Sequence, residues 1–210
     1  MSAMLEIKRF EVGSFGTNMY VVGSPSGEAL LIDPACQTVT EQQELERYLE
    51  RCHFHICTII ATHGHLDHLW GAPWACSRFG LPVRMHEADI PMATAMQMQY
   101  NLFGIRATAQ PFPLEPLNDD TPLLGAIVLH TPGHTPGGIC LYWEKEKTLL
   151  SGDTLFYRGF GRTDLPGGDM PTLVHSLGRL FLLPADTQVF PGHGEPTIIG
   201  EEARFLPHYL

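Results

Sequence analysis

The sequence predicts a layered α/β fold with helices covering sheets. Three observations carry this. Short apolar runs rich in Val, Ile, Leu and aromatics alternate with longer segments of helical period along the whole chain. The 17 prolines and 21 glycines fall between those runs as turn punctuation rather than in tracts. Hydrophobic content of 44% with 17% charged residues suits a packed core, not a disordered or fibrous chain.

Taken in order, the expected strands are Leu5–Val12, Met19–Val22, Ala29–Ile32, Cys57–Ala61, Val83–Met85, Ile127–His130, Ile139–Trp143, Thr148–Leu150 and Thr187–Phe190. The expected helices are Thr40–Cys52, Asp67–Phe79, Glu87–Tyr100 and Pro171–Leu182. Leu45, Tyr48 and Leu49 make one face of the first helix. Pro171 sits behind Asp169, where a first helical residue belongs. No linker-like or low-complexity segment interrupts the pattern, so residues 1–210 are read as a single domain.

Charge narrows the partners. The chain has 13 basic against 23 acidic residues, a formal charge of −10. A field of that sign repels phosphate backbones, which argues against nucleic acid. The opening MSAMLEIKRFEVG lacks a cationic segment followed by an apolar run, and no stretch approaches the roughly 20 apolar residues of a membrane helix. Cys36, Cys52, Cys57, Cys76 and Cys140 are odd in number and form no CxxC pair. That pattern suits free thiols in a reducing compartment, so the expected location is cytoplasmic.

One arrangement recurs. Short apolar strands end in Gly-His loops in CTIIATHGH, AIVLHTPGH and TQVFPGH, and a fourth ends in acid, TLLSGD. Strand ends at one sheet edge are where α/β folds build sites. In THGHLDH, His63 and His65 are two apart, so on an extended backbone both rings leave the same side. Asp67 and His68 follow where the chain turns into a helix and point elsewhere. One segment can therefore serve two neighbouring metals. Imidazole with carboxylate and no thiolate suits zinc, iron or manganese, whereas a structural zinc usually takes cysteine.

The segment resembles the HxHxDH signature of the metallo-β-lactamase superfamily. TPGHTPG, SGDTLF and PGHGEPT match that family's later motifs, in order, between residues 62 and 197. The resemblance implies a four-layer αββα sandwich with two mixed sheets and outer helices. It implies one metal held by His63, His65 and His134, a second by Asp67, His68 and His193, and Asp153 bridging both. Two zinc ions are expected, with iron or manganese as alternatives. Asp67 is then also the catalytic residue, orienting a metal-bridging hydroxide.

GRTDLPGGD after the bridging acid, with TIIGEE near the end, resembles the short glyoxalase II-like, or hydroxyacylglutathione hydrolase-like, branch. This implies hydrolysis of a small-molecule thioester such as S-D-lactoylglutathione, with Arg162 near the substrate. A surface or ion-paired role for Arg162 weighs equally. Full-length glyoxalases carry an additional C-terminal glutathione-binding helical domain; with 17 residues after His193, no such domain is expected here. The stretch from Arg158 to Asp164 is also similar to an RG-GRTD string of the persulfide dioxygenases, a resemblance that implies one iron on His63, His134 and Asp153. A β-lactamase, whose branch often lacks the bridging acid, and a non-catalytic metal-binding protein are weaker alternatives. Asp33 is read either as a turn or cap residue or as a support for a ligand histidine. His130 could support His134. His53 and His55 are read as surface residues. His86, His175 and His208 are expected to be structural, and the cysteines to be small core residues.

Overall fold

A computed structural model of the chain describes residues 5–118 and 120–206. The His208 reading, and the start of the segment read for a leader, lie outside the described residues. Two compact units divide near residue 124.

The first unit opens with an antiparallel meander of β1 (Glu6–Val12), β2 (Thr17–Gly23) and β3 (Glu28–Ile32). Helix α1 (Val39–Cys52) returns the chain so that β4 (His55–Ile60) lies parallel to β3. There follow α2 (Leu66–Leu69), α3 (Ala72–Phe79), β5 (Val83–Met85), a 3-10 turn (Glu87–Asp89), α4 (Ile90–Thr94), α5 (Met96–Leu102) and β6 (Leu114–Pro116). The mixed sheet runs β1 to β6 in order. Its core joins Val21, Leu31 and Ile59 to Leu45, Tyr48 and Leu49 of α1 and to Ala72, Ala75 and Cys76 of α3. Every residue of β2 is buried, Thr17 and Asn18 included, and Met19 to Val22 form an unbroken apolar run rather than an alternating one.

The second unit contains β7 (Ile127–His130), β8 (Ile139–Trp143), β9 (Thr148–Gly152), β10 (Leu155–Phe156), β11 (Gly159–Phe160), α6 (Met170–Leu180), β12 (Gln188–Pro191), β13 (Thr197–Ile198) and α7 (Ile199–Phe205). Its mixed sheet has the order β13-β12-β9-β8-β7, and β10 and β11 pair as a separate hairpin. Cys140, Tyr142, Leu149 and Val189 pack against Leu173, Leu177 and Leu180 of α6 and against Ile199.

Two expected helices are broken. The run from Asp67 to Phe79 is α2 and α3, separated at Trp70 and Gly71. A Cβ on Gly71 would lie 2.7 Å from the Cys36 carbonyl oxygen and 2.8 Å from the Cys36 nitrogen, so that close approach admits only glycine. Pro73, which has no N–H to continue the preceding turn, starts the new helix. The run from Glu87 to Tyr100 is a 3-10 turn, α4 and α5, divided by Pro91 and by Ala95 at φ −84°, ψ 27°. The strands β6, β10, β11 and β13 were not expected. Two residues cannot display a period of two, and Leu114–Pro116 follows its one apolar residue with an acid and a proline. Helix α7 was also not expected, its seven residues, about two turns, being too short for a helical stripe.

Candidate metal centre

In the first unit, Ile32 of β3 lies opposite Ile60 of β4, so Asp33 and the Thr62–His68 segment leave the sheet at one edge. Asp33 has φ +54°, a left-handed conformation that aspartate tolerates better than most residues. Its carboxylate is buried. Oδ1 accepts the Thr62 amide at 2.7 Å, and Oδ2 accepts the Thr62 hydroxyl at 2.9 Å. Oδ2 also lies 2.9 Å from Nδ1 of His68.

These bonds set both tautomers. His68 donates from Nδ1 to the carboxylate. Because the single Thr62 hydroxyl proton goes to Asp33, His63 Nδ1, 3.1 Å from Thr62 Oγ1, is the donor there as well. Each ring thus offers the lone pair of Nε2, the arrangement by which a carboxylate or hydroxyl orients a metal-ligating imidazole.

The loop itself is not a strand, because β4 ends at Ile60. Its shape is held from outside. The buried Asp89 accepts the Gly64 amide at 2.8 Å. Gln99 donates to the Gly64 carbonyl and accepts the Leu66 amide, both at 2.9 Å. Thr17 donates to Asp67 Oδ2 at 3.1 Å. Ligand atoms of His63 and His65, of His63 and His68, and of Asp67 and His68 come within 4.8 Å of each other.

In the second unit, β7 and β9 both run antiparallel to β8, and β12 runs parallel to β9. Their C-terminal ends therefore share an edge. Pro191 lies opposite Gly152, so Asp153 and His193 emerge side by side. Asp153 Oδ2 lies 3.5 Å from Nε2 of His134 and 3.6 Å from Nε2 of His193. His134 donates from Nδ1 to the Arg162 carbonyl at 2.7 Å, which again leaves Nε2 as the ligand atom. That carbonyl can approach because residue 161 is glycine: a Cβ there would fall 2.0 Å from the Asp153 carbonyl oxygen and 2.9 Å from the His134 ring.

The donor set fits a metal. The two separations from Asp153, and the 3.6 Å between Asp67 Oδ2 and His68 Nε2, exceed hydrogen-bond length. Two ligands each about 2.1 Å from a tetrahedral ion stand roughly 3.4 Å apart. Imidazole nitrogens and carboxylate oxygens held at that spacing suit zinc, iron or manganese alike.

The remaining histidines have other duties. His53 caps α1 at φ +55°, and His55 is exposed on β4. His130 donates from Nε2 to the Pro136 carbonyl at 2.9 Å, bracing the loop that carries His134. His86 Nδ1 accepts the Ala88 amide at 3.2 Å and so caps the 3-10 turn, and His175 is exposed on α6. Arg162 enters through its backbone. Its guanidinium makes two bonds to Asp164, at 2.6 and 2.7 Å, and those bonds hold the Asp164 carboxyl down at about 2. Cys36, Cys76 and Cys140 are buried, while Cys52 and Cys57 are partly exposed.

Thr17, Asp89 and Gln99 carried no signal in the sequence. Each lies in an unremarkable local pattern and acts on a loop distant in the chain. Asp33 had a signal, its position after an apolar strand, but two readings. The structure selects support of His68.

A family model for the metallo-β-lactamase superfamily matches residues 12–193, and the chain belongs to that superfamily. An uncharacterized protein of Aquifex aeolicus is 39% identical, over 96% of this chain and 95% of its own. A protein of Haemophilus influenzae named hydroxyacylglutathione hydrolase GloC is 32% identical, over 97% of both. Among solved structures, TTHA1623 in a di-iron-bound form superposes with a TM-score of 0.84 at 35% identity, over 96% of this chain and 99% of that one. BLEG-1, described as a B3 metallo-β-lactamase, gives 0.83 at 31% identity, over 97% of this chain and 99% of that one. The αββα fold class is thereby that of this chain. Among the described residues no helix is long and apolar enough to cross a membrane.

Proposed function

We propose that the chain is a metal-dependent thioester hydrolase of the glyoxalase II type, acting on S-D-lactoylglutathione or a related hydroxyacyl thioester. The observation that carries this reading is the spacing of His134 and His193 from Asp153, at 3.5 and 3.6 Å, with a matching acid–imidazole pair at Asp67 and His68. In this reading His63, His65 and His134 would hold one ion, Asp67, His68 and His193 would hold the other, and Asp153 would serve both. Such a pair would lower the pKa of a coordinated water from 15.7 toward about 7 and balance charge on a carbonyl oxygen.

The chain's own groups do the rest. Asp33 keeps His68 in one tautomer and one orientation. Thr17 donates to Asp67 Oδ2 and so steadies the carboxylate that would orient a metal-held hydroxide. The departing thiol has a pKa near 8.5, so it can leave without a strong general acid. The relative named hydroxyacylglutathione hydrolase supports the substrate class. We assign zinc as the metal, with iron the main competitor because a similar structure is di-iron-bound. Arg162 would serve the substrate only by releasing Asp164. The free thiols favour a reducing, cytoplasmic setting, and the continuous family match favours one domain across residues 12–193.

The test is metal analysis of protein loaded by its host, paired with S-D-lactoylglutathione hydrolysis. Two ions per chain and turnover that falls at least ~100-fold in Asp67→Ala are expected. One iron per chain with oxygen uptake on glutathione persulfide would move the assignment to a dioxygenase. Metal binding with no turnover on any thioester would leave a non-catalytic protein.

A further inference from the structure

Glu202 on α7, the last residue of TIIGEE, is fully buried, and the metal-centre reading gives it no role. Its Oε2 accepts the backbone amide of Arg158 at 2.9 Å, and its Oε1 accepts the Thr197 hydroxyl at 2.6 Å. Arg158 is the second turn residue of the tight hairpin between β10 and β11, where Leu155 pairs with Phe160 and Phe156 with Gly159. It sits at φ +56°, a conformation more usual for glycine or asparagine. Its guanidinium lies 4.3 Å from the Phe205 ring centre, also on α7. The hairpin is therefore tied to the helix at a strained residue.

What the hairpin carries explains the tie. Phe156 meets His193 edge to face, with ring centres 6.2 Å apart. Directly after β11, Gly161 lies against His134, and the Arg162 carbonyl accepts the His134 Nδ1 proton. One short segment thus orients two imidazoles, and Glu202 anchors its turn. We propose that Glu202 is a positioning residue for His134 and His193, acting through the β10–β11 hairpin. The proposal rests on the metal-centre reading above.

Glutamine at this position can keep both bonds. Its carbonyl accepts from Arg158, and its amide donates to Thr197, whose hydroxyl can accept. Alanine keeps neither, and the Arg158 amide is left without its partner. The experiment compares Glu202→Gln and Glu202→Ala with the wild type by zinc titration against a chelator. Amide exchange of Phe156, Gly159 and Phe160 is followed in the metal-free proteins, and kcat and KM in the loaded ones.

The expected result for Glu202→Ala is about 10- to 100-fold weaker zinc binding, faster hairpin exchange without metal, and a lower kcat at nearly unchanged KM. Glu202→Gln should stay within about threefold of wild type. Wild-type zinc affinity in a folded Glu202→Ala, or equal impairment in Glu202→Gln, overturns the proposal. If Glu202→Ala does not fold, Glu202→Asp carries the test with the same expectation, since it keeps the charge but shortens the reach. Failure of both to fold makes Glu202 a folding residue and also overturns it. A wild type that binds no zinc defeats the metal-centre reading instead, and hairpin exchange still reports on the anchor.

Discussion

Asp33 bears three hydrogen-bonding contacts on one buried carboxylate and does so from a left-handed backbone. Replacing it with asparagine preserves the backbone preference and one acceptor, while alanine removes every contact. Asp33→Ala should weaken metal binding by about 10- to 100-fold, and Asp33→Asn by less, when titrated with zinc in competition with a chelator. Equal affinity in all three proteins would show that His68 needs no support. At this scale the sequence was legible where spacing is local. THGHLDH nominates its own ligand candidates, because histidines and an acid within seven positions have no ordinary structural use. Asp89, Gln99 and Thr17 were illegible for the opposite reason. Their partners lie 25, 33 to 35, and 50 positions away in the chain.

At the scale of elements, helix α1 shows how capping ties pieces together. Thr38 and Glu41 form a reciprocal capping box. Within the box the Glu41 carboxylate accepts the Thr38 amide at 2.8 Å, and beyond it the amides of Gly13 and Gln37, at 2.8 and 2.6 Å. Partial burial raises its pKa, but those donors together outweigh it and bring the net value below 4.5. A carboxylate with a depressed native pKa stabilises the fold above its unfolded value. That contribution is lost as pH falls through the native pKa. Glu41→Gln should therefore cost about 0.5–2 kcal/mol at pH 7, read from urea unfolding, with the gap to wild type narrowing below pH 4.5. A gap independent of pH would mean that the ionised form is not the one bound. The box was readable in advance as T-x-x-E, yet its reach to Gly13 was not, because it depends on how the turn between β1 and β2 meets the helix.

For the molecule as a whole, burial decides thiol chemistry. Desolvation pushes Cys36 up to about 12, and Cys76 and Cys140 up to about 11. A buried thiol that holds its proton is a poor nucleophile at pH 8. Native protein should release at most two equivalents from a chromogenic disulfide at that pH, from Cys52 and Cys57, and five after denaturation in guanidinium. Rapid release of more than two from the native state would contradict the burial of the other three. By itself, the sequence determined the class of fold, the main strands to within a residue or two, and the donor types at the loops, because periodicity and short motifs are written in adjacent residues. Only the tertiary structure decided where long helical runs break and that the Asp33 carboxylate and the Arg162 carbonyl set the His68 and His134 imidazoles. It also gave the hairpin and α7 their shared anchor at Glu202. Those outcomes depend on contacts between distant segments, and no local pattern encodes the distance at which two such segments meet.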